Sequence, residues 1–124
     1  MTGRVTGIGG VFFRAHDPKA MTDWYTTHLG ITVEDFWPQE PGNAVFSPFK
    51  ARTTYWSTDK QWMLNLRVRG LQALEAQLEA AGVPVERREE WDSAELGQFA
   101  RIRDPEGNEI ELWEPAEEGD AHAG

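Results

Sequence analysis

The chain has 124 residues, 40% of them hydrophobic and 27% charged, with a formal net charge of −9 and no cysteine. That length allows one compact domain, and that balance excludes disorder over the whole chain. The lack of thiols excludes disulfides, thiol catalysis and cysteine-bound zinc.

The acid surplus falls in the second half. Residues 1–62 carry six basic and six acidic side chains, and residues 63–124 carry six and fifteen. Nucleic acid is not an expected partner, because binding it needs a basic face to neutralise phosphates. The surplus reads as solubility. No apolar run approaches the roughly 20 residues of a membrane helix. The opening MTGRVTGIGG has no apolar signal-peptide core, so a cytoplasmic location is expected.

In chain order, GIGGVFFRA reads as a strand. Asp17 suits a helix cap and Pro18 a first helical turn, where a missing N–H costs nothing. Met21, Trp24, Tyr25, His28 and Leu29 then share one helical face, and Gly30 ends the helix. ITVEDFW, NAVFSPF and the TTYW stretch read as further strands. WMLNLRV opens a second unit of the same grammar. Leu71, Leu74, Leu78 and Ala81 form its helical stripe, Gly82 ends that helix, and VPVERR follows as a strand. ELGQFARIRD and NEIELWEP close the chain as two strands around DPEGN, a strong turn signal.

The two units repeat. Arg14 corresponds to Arg67, Gly30 to Gly82, and Val33-Glu34 to Val85-Glu86. A period of about 50 residues implies two copies of one βαβ-type unit sharing a single core. The domain is placed at residues 1–115, with modules at about 5–60 and 61–115. Residues 116–124 read as a flexible acidic tail.

Alternation along the strands sorts their side chains. Val11, Phe13, Ala15; Leu64, Leu66, Val68; Ala100, Ile102; and Ile110, Leu112 suit the face under the helices. The other face carries Gly10, Phe12, Arg14; Met63, Asn65, Arg67; Phe99, Arg101, Arg103; and Glu109, Glu111, Trp113. Its aromatics suggest a ligand cleft; a dimer contact and a solvated sheet are the alternatives.

GGVFFRAHDPKAMTDWYTTHLGI and ARIRDPEGNEIELWEP resemble the opening and closing segments of the vicinal oxygen chelate superfamily. That superfamily holds glyoxalase I, bleomycin resistance proteins and extradiol dioxygenases. WMLNLRV with LQALEAQLEAAGV is similar to the start of its second module. The resemblance covers roughly residues 5–115. It implies an α+β fold of two βαβββ modules, a curved mixed sheet around a cleft with helices on the outer face, and a likeness to proteins that often form homodimers.

Metal-using relatives bind a divalent ion in that cleft. Their first-strand ligand positions fall here on Gly10, which has no side chain, and Met63, a soft thioether. Glu111 is the only matching ligand position, and catalytic metals typically need about three protein ligands. No metal or other cofactor is therefore expected. His16, His28 and His122 show no ligand spacing, and His28 reads as helix packing or capping.

Three readings remain. The first is a metal-free protein binding a small oxygen-bearing or aromatic molecule through Phe12, Arg14, Met63, Asn65, Arg67, Phe99, Arg101 and Trp113. In it Glu111 accepts a hydrogen bond or acts as a base beside Arg14, Arg67 and Arg101, the alternative being a structural ion pair within the sheet. Trp37, Trp56, Trp91 and Trp113 stack on a flat ligand or serve as core or dimer contacts. The second is a divalent-metal-dependent lyase, isomerase or dioxygenase with Glu111 as its catalytic residue. The third is a small dimeric domain whose cleft is an interaction surface.

Overall fold

Asp17 caps the first helix through its side chain, which accepts from the Ala20 backbone N–H at 3.1 Å. Helix α1 runs Pro18–Leu29 and stops at Gly30, whose φ of 69° is the left-handed conformation that favours glycine. The computed structural model describes residues 2–32 and 35–117. After a long irregular segment come strand β1 (Leu64–Arg67), helix α2 (Leu71–Ala80) and a short 3₁₀ turn (Glu89–Trp91). Strands β2 (Gly97–Arg103) and β3 (Glu109–Pro115) complete the order.

The fold is α+β, with a small open mixed sheet in the order β1-β3-β2. β2 and β3 form an antiparallel hairpin that pairs Ala100 with Leu112 and Arg101 with Glu111. β1 lies parallel to β3, with Asn65 opposite Glu111 and Arg67 opposite Trp113.

The DPEGN turn is organised by Asp104. Its buried carboxylate accepts from the backbone N–H groups of Glu106 and Asn108, from Asn108 Nδ2, and from Tyr25 Oη at 2.7 Å. The Tyr25 bond ties α1 to the hairpin.

The expected apolar face holds the core. Ala100, Ile102, Ile110 and Leu112 pack with Met21 and Tyr25 of α1 and with Leu71 and Leu78 of α2. Each fully buried aliphatic side chain contributes about 1.5–3 kcal/mol.

Both helices start on a carboxylate from the hairpin. Glu106 accepts from the backbone N–H groups of His16 and Asp17 at 2.8 and 2.9 Å. Glu114 accepts from those of Gly70 and Leu71 at 3.0 and 2.9 Å. The Asp17, Gly70 and Leu71 N–H groups are donors that a helix start leaves open, and both carboxylates place negative charge at a helix's positive end.

The first half departs from the strand expectations. Residues 5–15, 44–50 and 53–56 carry no strand pairing, and neither do residues 31–32 and 35–37 of ITVEDFW; Val33 and Glu34 lie outside the described residues. Gly7, Gly9 and Gly10 weaken the first of these segments as a strand, and Pro48 interrupts another. An extended segment with no partner gains no ladder bonds to offset its lost entropy. VPVERR is reduced to one bridge, where Glu86 and Arg101 exchange backbone hydrogen bonds at 2.8 and 2.9 Å. The expected tail lies outside the described residues from 118 onward.

Candidate functional site

The strands fix the site, because alternation turns Arg101, Arg103, Glu109, Glu111 and Asn65 away from the helices. On this face Arg101 does not bond to Glu111, its partner in register. Its Nη1 reaches diagonally to Glu109 Oε2 at 2.6 Å and also donates to the Tyr55 carbonyl at 2.9 Å. Diagonal neighbours on a sheet lie within reach of a long side chain.

Residues 54–58 run over the sheet and are pinned to it. The Ser57 backbone N–H donates to Glu109 Oε1 at 2.8 Å. Tyr55 Oη donates to Glu111 Oε2 at 2.5 Å, and Asn65 Nδ2 donates to Glu111 Oε1 at 2.8 Å. Both carboxylate oxygens of the buried Glu111 are thus engaged by neutral donors. Burial pushes the Tyr55 hydroxyl up to about 12, helped by its bond to Glu111 and by that carboxylate's charge.

Aromatic rings surround Arg101. Its guanidinium carbon lies 4.8 Å from the Tyr55 ring centre and 5.0 Å from that of Trp91, both within cation–π range. Phe49 stacks on Tyr55 with centroids 5.6 Å apart. A cavity of about 590 Å³ opens here, lined by residues 54–58 and by Glu86, Arg88, Trp91, Arg101, Arg103 and Glu109. Small-molecule sites commonly have this size, and here three aromatic side chains, Tyr55, Trp56 and Trp91, stand among eight polar or charged lining residues.

The candidates from the sequence are placed unevenly around it. Arg101 lines the cavity, as do Trp56 and Trp91. Asn65 and Glu111 form the adjoining cluster with Tyr55. Phe99 stacks on Trp113 with centroids 6.1 Å apart, and the Trp113 indole N–H is spent on the Leu96 carbonyl at 2.7 Å. Met63 is half-buried just before β1. Arg67 turns to the Glu40 carbonyl at 2.7 Å. Phe12 is 97% exposed and Arg14 is exposed, both in unpaired chain. The expected gathering of Arg14, Arg67 and Arg101 on Glu111 is replaced by the Tyr55–Glu111–Asn65 cluster beside an Arg101–Glu109 pair. Tyr55 is the residue that sequence reasoning missed: it sits in the TTYW stretch, 56 residues from Glu111, with no local pattern to join them.

The profile of the glyoxalase-like domain family matches residues 10–113. The chain belongs to that family. Among solved structures it is similar to TnmS3, an antibiotic binding protein from Streptomyces sp. CB03234, with a TM-score of 0.56 and 24% identity. The match covers 90% of this chain and 100% of that one. None of the curated proteins matches the chain.

In this glyoxalase-like domain the residues present do not fit a family-type metal centre. Gly10 offers no donor and Met63 only a soft one, which leaves Glu111 alone among those positions. Among the described residues no group of three or more His, Asp or Glu side chains could hold a metal ion. No helix among them is long and apolar enough to cross a membrane.

Proposed function

We propose that this chain binds a small, flat, oxygen-bearing molecule in the cavity on the helix-free face of its sheet, without a metal ion. The observation that carries this reading is the cavity itself, walled by Tyr55, Trp56 and Trp91 around the buried Arg101. The likeness in fold to an antibiotic binding protein supports it. The Tyr55–Glu111–Asn65 cluster supports a positioning role for Glu111, whose two oxygens accept from Tyr55 and Asn65 and so hold those side chains in place.

The reading includes two modules and a homodimer. The matching attachment of α1 to Glu106 and of α2 to Glu114 supports the module pair. The exposed surface supports the dimer: a folded monomer of 14.0 kDa exposes about 6,700 Å², whereas this chain exposes 10043 Å². Val5, Ile8, Val11, Phe12, Phe13, Phe36, Val45 and Phe46 are all more than half exposed, and exposed apolar side chains in such number suit a covered surface. The strand-like segments of the first half would find partners on a second copy, and β1 has an open edge to offer them.

A thermal-shift panel of flat aromatic and antibiotic-like molecules, run with and without chelator, tests binding. A ligand that raises Tm equally in both conditions is expected. A panel in which nothing shifts Tm, or in which chelator abolishes the shift, would overturn the reading. A solution mass of twice 14.0 kDa is expected alongside.

A further inference from the structure

We propose that the cavity receives its ligand through a carboxylate, and that the Nε–Nη2 edge of Arg101 is the group that takes it. This rests on the reading of the cavity as a small-molecule site and narrows that reading to flat aromatic carboxylates.

Arg101 is only 5% exposed. Its Nη1 is committed to Glu109 and to the Tyr55 carbonyl. Its Nε and Nη2 are buried and have no hydrogen-bond partner among the described residues. Buried donors of a charged group are costly to leave unpaired, so such an edge is uncommon unless something outside the chain completes it. The two nitrogens lie on the same side of the guanidinium, and their N–H bonds run parallel. That fork matches the two oxygens of a carboxylate. The Tyr55 and Trp91 rings lie over the guanidinium, within cation–π range.

Charge agrees with this chemistry. Arg88, Arg101 and Arg103 line the cavity against Glu86 and Glu109, one positive charge in excess within a chain of net charge −9. Trp56 and Trp91 supply indole surface for an aromatic skeleton. A ligand reaches the fork by displacing part of the lining. Arg88 is the lining side chain we take to move: it is 54% exposed, its ion pair is with Glu86 and its guanidinium lies 5.3 Å from the Trp91 ring centre, and surface ion pairs hold weakly.

The probes are 1-naphthoate and 1-naphthamide, which share a ring system and differ in charge and in the second oxygen. Calorimetric titration of the wild-type chain is expected to give a Kd at least tenfold lower for the acid anion. Arg101→Lys, which keeps the charge but loses the fork, is expected to bring the two within about threefold of each other. Equal affinity for acid and amide in the wild-type protein would overturn the carboxylate assignment and leave small-molecule binding standing. Binding of neither probe would overturn it too, and a silent thermal-shift panel would then remove the binding reading as well. The wild-type comparison stands alone if Arg101→Lys does not fold.

Discussion

Tyr55 and Glu111 are joined by a hydrogen bond of 2.5 Å across 56 positions of sequence. That bond fastens the last segment of the first half to the central strand of the sheet. It also keeps the phenol protonated, and this has a measurable consequence.

The chain has two tyrosines, and both are shifted the same way. Tyr55 is pushed up to about 12 by burial, by its bond to Glu111 and by the charge there. Tyr25 is also pushed up, by burial first and then by Asp104. A folded value above the ordinary 10.0 stabilises the fold fully below pH 10 and less as pH rises toward 12. Phenolate absorbance during a pH titration is expected to show no native tyrosine ionising near 10. Glu111→Gln, which removes the charge, is expected to lower the value for Tyr55. A native tyrosine titrating at 10 would contradict the burial and bonding described for it.

Asp104 holds four donors in a buried turn. Tyr25→Phe removes one bond to a charged acceptor, at a cost of about 1.5–3 kcal/mol. Asp104→Ala strands the buried Tyr25 hydroxyl and the turn amides together, and is expected to cost more. Urea unfolding of the two variants checks both the size and the order of these losses.

Gly97 begins β2 at a φ of 116°. A Cβ there would lie 2.1 Å from the Glu114 carbonyl oxygen and 2.6 Å from the Ala116 nitrogen. Backbone atoms on the paired strand have little room to yield. Gly97→Ala is expected to destabilise by about 2 kcal/mol or more, combining an unfavourable φ with a clash. A Tm within a degree of wild type would show that the hairpin starts differently.

The second half was legible because its signals are local. The alternation of Ala100, Ile102, Ile110 and Leu112 marks the core face and DPEGN marks the turn, just as Asp17 and Gly30 mark the ends of α1 in the first half. All of these depend on near neighbours in sequence. The first half carries the same alternation, in Val11, Phe13 and Ala15, but periodicity does not specify a pairing partner, and within this chain none is met. On the cleft face, the sequence placed Arg101, Glu109 and Glu111 together. It could not say that Arg101 takes Glu109 diagonally or that Glu111 takes Tyr55, because side-chain reach and the path of residues 54–58 decide those bonds. Glu106 and Glu114 escaped notice for a similar reason: a carboxylate that caps a helix from a distant hairpin leaves no capping motif beside that helix.

The most direct test of the central claim is to follow the six tryptophan indole N–H signals by NMR while titrating the ligand that most raises Tm. Trp56 and Trp91 line the cavity, whereas Trp24 packs against the core beneath the opposite face. The Trp56 and Trp91 signals are expected to move with saturation while that of Trp24 stays in place. Movement of Trp24 with Trp56 and Trp91 unchanged would put the ligand on the other side of the sheet and contradict the assignment.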